Sequence, residues 1–248
     1  MNLLDKYLES PETEEIKVES LENMEATLPY EYTDSLEGLN GEGVMVAGRP
    51  PEAIAERLDY NQGDNPFRAS GNCGLVSISN FLNLCGIETT ENEVTEYAME
   101  HNFCSNRFFA HRSDRGGTTT EMQMDILRHY DVQTKAELSI ENGGTADAEF
   151  VAQKIEQGHA VMCGGNAGYL WNNANAVGPG AANHEITCVE AVRDPETFEL
   201  KGIVICDSGR GLESDSKRLL TPEEFNTFIN VEGGDVVYST DPLRLNTI

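Results

Sequence analysis

The chain has 248 residues, room for one large domain or for one of roughly 200 residues with an appended tail. Its 43 acidic residues against 17 basic ones leave a formal net charge of −26. That field repels phosphate backbones and anionic headgroups, which excludes nucleic acid and membrane surfaces as expected partners.

In chain order, the opening MNLLDKYLES is acidic and too short in apolar content for a secretory signal. No unbroken apolar run approaches the ~18 residues of a membrane helix. The expected location is cytoplasmic, or outside the cell by a specialised export route. Residues 1–45 hold twelve acidic residues against Lys6 and Lys17, and such low hydrophobicity with one-sided charge offers little to offset the entropy of ordering. Residues 1–57 are therefore expected to form an acidic N-terminal extension or pro-segment-like arm, and residues 58–248 the organised domain.

Leu75, Ile78, Leu82 and Cys85, joined by Phe81 and Leu84, recur at helical spacing, with Gly86 placed to end the helix. Apolar on most sides, this helix is expected to be central and buried. Thr90 with Glu93, Thr120 with Gln123 and Thr221 with Glu224 read as capping boxes opening three further helices, the last with Pro222 at its first helical position. Residues 148–157 form another short helix, closed by Gly158 and followed by the apolar run 160–163. Residues 185–192 and 202–206, rich in β-branched side chains, flank the turn sequence Asp194-Pro195-Glu196-Thr197 and read as a hairpin, and residues 236–239 add a strand. Helices early and antiparallel strands late make an α+β fold.

Six cysteines without a C-x-x-C pair fit neither a disulfide scaffold nor structural zinc, and most are expected to be reduced. With no P-loop or dinucleotide fingerprint either, neither a metal nor another cofactor is expected. Cys73 stands apart, because Gly71-Asn72-Cys73-Gly74 runs straight into the buried helix. Unpaired N–H groups and the helix dipole favour a thiolate there, and small neighbours admit a substrate carbonyl. The other reading is a small residue at a tight helix entry. A thiolate nucleophile needs a base and a group to orient it. Of five histidines, His184 is best placed, at the mouth of a strand after a Gly, Ala and Asn loop. Hairpin pairing centred between Pro195 and Glu196 sets His184 opposite Asp207. Cys104 with His111 is a weaker pair that fits no common metal or catalytic spacing, and Cys85, Cys163, Cys188 and Cys206 read as core residues.

Gly71-Asn72-Cys73-Gly74 opening a helix, His184 starting a late strand and Asp207 ending the next resemble papain-like cysteine peptidases. The chain looks most like the branch that includes bacteriocin leader-processing peptidases and related bacterial domains. The resemblance spans about residues 58–240 and includes Gly116-Gly117-Thr118, similar to a substrate-side loop of that branch. It implies a papain-like fold in which a helical half, with the nucleophile helix buried, packs on a C-terminal antiparallel sheet. It also implies Cys73 as nucleophile, His184 as general base, Asp207 as orienting carboxylate, and a peptide or protein substrate. The family places a glutamine six residues before the nucleophile to hold the oxyanion, and here Phe67 stands in that position. Gln62 and Asn72 are the candidate replacements, beside the backbone N–H of Cys73 itself.

The expected activity is cleavage of a peptide or amide bond through a thioester acyl-enzyme. Glutamine deamidation and acyl transfer share that intermediate and stay open. So does a papain-like binding module without turnover, which the Phe67 departure favours. The loop Gly164 to Ala182 around Trp171 reads as a cleft wall or a surface insertion. Residues 1–57 covering the cleft as an inhibitory segment are a further expectation. The oligomeric state is not legible.

Overall fold

The computed structural model describes residues 27–39, 41–107, 111–172 and 180–246. In chain order these form β1 (Tyr30–Thr33), β2 (Val44–Ala47), α1 (Glu52–Ala55), α2 (Cys73–Leu84), α3 (Glu91–Glu100), α4 (Thr120–His129), β3 (Thr134–Leu138), α5 (Ala148–Glu156) and β4 (Val161–Gly165). There follow α6 (Ala167–Leu170), β5 (His184–Arg193), β6 (Leu200–Cys206), β7 (Arg218–Leu220), α7 (Pro222–Ile229) and β8 (Asp235–Ser239). The architecture is a mixture of helices and one antiparallel sheet. Its strands run β1-β2-β5-β4-β8-β3, with β6 and then β7 added on the other edge of β5.

All of α2 after Cys73 is buried, as its all-round apolar sequence predicts. Leu75, Ile78, Phe81 and Leu82 pack on Met162, Val189 and Val237 of the sheet. Each such side chain contributes about 1.5–3 kcal/mol on burial. The polar residues of α2 are absorbed by neighbouring backbone: Asn80 bonds both the N–H and the carbonyl of Asp59, and Asn83 donates to Ser79 and Thr89 carbonyls. α5 and α7 cover the opposite face, where Ile155, Phe225 and Phe228 meet Ile186, Cys188 and Ile205. Helices thus lie on both faces of the sheet.

The capping boxes at Thr90 and Thr221 are formed. The third cap moves by one residue: Thr119 is the N-cap of α4, accepting from Met122 N–H, and Thr120 instead donates to Asp235. The boundary expected at residue 58 does not coincide with the edge of the sheet. Val44, Val46 and Ala47 of β2 are buried and pair with β5, and β1 pairs with β2. Averaging charge over residues 1–45 hid the apolar run Val44–Ala47.

The hairpin register also differs from expectation. Phe198, in the left-handed region at φ 59, and a carboxylate of Asp194 that accepts from Glu196 and Thr197 N–H enlarge the turn. Arg193 therefore faces Leu200 and, past two irregularities, Thr187 faces Cys206. Asp207 continues that ladder level with Ile186, two residues from His184. A shift of two keeps the side of the strand, so the pair still meets.

Candidate active site

Cys73 is the first residue of α2, half-buried, at the end of the helix where N–H groups lack intrahelical partners. The approach is tight. A Cβ on Gly71 would lie 2.0 Å from the Ser113 carbonyl oxygen, and one on Gly74 would lie 2.2 Å from Thr118 Oγ1. Only glycine fits at either side of the Asn72-Cys73 step.

His184, the first residue of β5, donates from Nε2 to Asp207 Oδ1 at 2.6 Å. This leaves Nδ1 for the sulfur, and the ring hydrogen-bonds the Cys73 side chain. Asp207 is fully buried and held by two more donors, Trp171 Nε1 at 2.7 Å on Oδ2 and Gly209 N–H at 2.9 Å on Oδ1. The Trp171 ring lies 5.1 Å from the imidazole. A Cβ on Gly209 would come within 2.3 Å of Trp171 and 2.9 Å of the His184 ring, so a side chain there is excluded.

Burial opposes every charge in this cluster, yet the contacts outweigh it. The Cys73 thiol is lowered by its bond to His184, by the imidazolium charge and by N–H groups of Glu185 and Gly74. His184 is raised to about 10, against burial, by Asp207 and Cys73. Asp207 is lowered, again against burial, by His184, Trp171 and Gly209. Other cysteines move the opposite way: burial pushes Cys85 up to about 12 and Cys104 up to about 11, and raises Cys163 and Cys206. An ionised thiolate beside an imidazolium is the arrangement these shifts favour.

The sulfur opens on a cavity of about 290 Å³ lined by Gly117, Thr118, Gln123, Asn183, Glu185 and Asp235 among others. The expected substrate-side loop contributes Gly117 and Thr118 to this lining. Gly164 and Ala182 line it from the ends of the loop around Trp171, while residues 173–179 of that loop lie outside the described residues. The two oxyanion candidates are turned elsewhere. Gln62 donates to the Ser70 carbonyl at 2.7 Å and accepts from Ser208, and buried Asn72 donates to Glu91 at 2.6 Å. The donors directed at Cys73 are backbone N–H groups instead. Cys104 is buried, while His111 is exposed and bonds Ser113. Among the described residues no group of three or more His, Cys, Asp or Glu side chains is arranged to hold a metal ion, and no helix is long and apolar enough to cross a membrane.

Two contributors escaped sequence reasoning. Trp171, the single tryptophan of the chain, is the indole donor to Asp207, and Gly209 makes room for that indole. A lone tryptophan in a Gly and Asn loop and a glycine two residues after the acid were the available signals.

No protein family's model and no curated protein matches this sequence. Among solved structures the chain is similar to a double glycine motif protease from an AMS/PCAT transporter, crystallised in complex with the leader peptide. The identity is 14%, the match covers 78% of this chain and 93% of that one, and the TM-score is 0.43.

Proposed function

We propose that this chain is a papain-like cysteine hydrolase of peptide or amide bonds, with Cys73 as nucleophile, His184 as acid and base, and Asp207 as the carboxylate that orients the imidazole. The observation that carries the reading is one imidazole bonded to a buried carboxylate at 2.6 Å on one side and to a helix-start thiol on the other, at the edge of a cavity. The Cys73 thiolate attacks the carbonyl carbon, forming the S–C bond. The developing oxyanion is held by the Cys73 backbone N–H, free at the start of α2. His184 gives its proton to the leaving nitrogen as the C–N bond breaks. Water then gives a proton to His184 and its oxygen to the acyl carbon, which releases the thiolate. The buried Asp207 stabilises the imidazolium throughout. The organised unit is taken to include β1 and β2, with the acidic stretch before them as the appended arm. An inhibitory role for residues 1–26 falls outside the described residues.

The test is capture of the thioester. The p-nitrophenyl ester of N-acetylglycine is expected to give a burst of nitrophenol and an acyl adduct mapped to Cys73, both lost in Cys73→Ala. Adducts spread over several residues, or a burst unchanged in Cys73→Ala, contradict the reading.

A further inference from the structure

The cavity beside Cys73 has a wall that the proposed bond cleavage does not use. Gly164 of β4 pairs with Glu185 of β5 on one edge and with Asp235 of β8 on the other. Residues directly paired in antiparallel strands share a face, so two acidic side chains converge over a residue that has none. A Cβ at position 164 would stand 2.6 Å from Asp235 Oδ1 and 3.3 Å from Glu185 Oε2. Glu185 is 7% exposed and Asp235 6%, and α4 closes over them with Gln123 and Thr120.

Few donors reach this wall. Gln123 Nε2 donates to Glu185 Oε2 and to Thr118 Oγ1, each at 3.1 Å, and Thr120 Oγ1 donates to Asp235 Oδ2 at 2.5 Å. Glu185 Oε1 and Gln123 Oε1 are buried with no hydrogen-bond partner. No lysine or arginine lines the cavity among the described residues. Burial holds both carboxyls above their ordinary range, with the charge of Asp235 adding to the effect at Glu185. Two paired acids with unused acceptors are costly inside a protein unless something supplies protons and positive charge. An ammonium has three donors and a guanidinium five, with no acceptor of their own, which complements a wall of acceptors.

We propose that Glu185 and Asp235 select substrates carrying a lysine or arginine side chain next to the scissile bond. This specificity rests on the hydrolase reading above, since it places the cation within the cavity that holds Cys73. The net charge of −26 draws cationic peptides toward the chain in the same sense.

The probes are dipeptidyl acyloxymethyl ketones of the forms N-acetyl-X-Gly and N-acetyl-Gly-X, where X is Arg, Lys, norleucine or Glu. Alkylation of Cys73 is followed by intact mass. At one of the two positions Arg or Lys is expected to react at least about tenfold faster than norleucine, a margin of about 1.4 kcal/mol, with Glu slower still. That ratio should fall toward unity in Glu185→Gln and, as a separately folded check, in Asp235→Asn. Reading a ratio within each variant cancels any general loss of reactivity. A wild-type ratio near unity at both positions, or a ratio retained in both variants, overturns the proposal. Iodoacetamide separates this from failure of the catalytic reading: selective labelling of Cys73 with no preference for Arg or Lys overturns the specificity alone. If Cys73 shows no selective labelling, the wall is decided by melting Cys73→Ala protein with agmatine. A rise removed by Glu185→Gln supports the cation site, and no rise overturns it.

Discussion

Trp171 holds Asp207 from the side opposite His184: its indole N–H reaches Oδ2 at 2.7 Å while the imidazole occupies Oδ1 at 2.6 Å. The carboxylate is therefore fixed at both oxygens before any substrate arrives. Trp171→Phe keeps a ring against His184 and removes one donor from a buried charge. Hydrogen bonds to charged groups are worth about 1.5–3 kcal/mol. Unfolding free energy from a urea titration should fall by that amount, and a loss under about 0.5 kcal/mol contradicts the assignment.

Gly209→Ala tests the space between the two rings. The added methyl would overlap Trp171 and press on His184. Acylation of Cys73 by the p-nitrophenyl ester should slow by about 10-fold or more, as the imidazole is displaced from its working position. An unchanged rate would show that the rings accommodate the methyl group.

Asp207→Asn removes the charge that, with Cys73, raises His184 against its burial. The hydrolytic rate should drop by about 100-fold or more. The sign of the pH effect follows from the same contact. With Asp207 present the imidazolium persists until pH rises through about 10, so the falling limb of the pH–rate profile lies near there. In Asp207→Asn that limb should move to lower pH. A limb that stays in place contradicts the orienting role of the carboxylate.

The one-residue shift of the α4 cap separates two neighbouring threonines. Thr119→Ala should cost about 0.5–2 kcal/mol by loss of the N-cap. Thr120→Ala should instead change the ratio of cationic to neutral probes at Cys73, because Thr120 bonds Asp235. Equal effects of the two substitutions on both readouts contradict the distinction.

Which parts of this molecule were legible in sequence follows from range. Local signals carried the helices: α2 from its all-round apolar pattern, and α3 and α7 from capping boxes whose partners lie three residues apart. The strands β1, β3 and β7 were missed because they are short and mostly solvent-facing, with residues such as Tyr30-Glu31-Tyr32-Thr33 and Thr134-Lys135 whose pairing is decided by distant partners. The meeting of His184 with Asp207 was foreseen through a register wrong by two residues. It survived because strand faces alternate with period two, so an even error keeps both side chains together. The Glu185, Gly164 and Asp235 row lies on three strands far apart in the chain, and no local pattern announces it.

The central claim is that Cys73 is held as a thiolate by His184. Its most direct test is the pH dependence of Cys73 alkylation by iodoacetamide, read by peptide mass, in the wild-type protein and in His184→Ala. The account predicts rapid alkylation well below the ordinary thiol pKa of ~8.5, a wild-type rate at pH 6 exceeding that of every other cysteine, and loss of that advantage in His184→Ala. A Cys73 that titrates at or above the ordinary thiol value, with a profile that His184→Ala leaves unchanged, contradicts it.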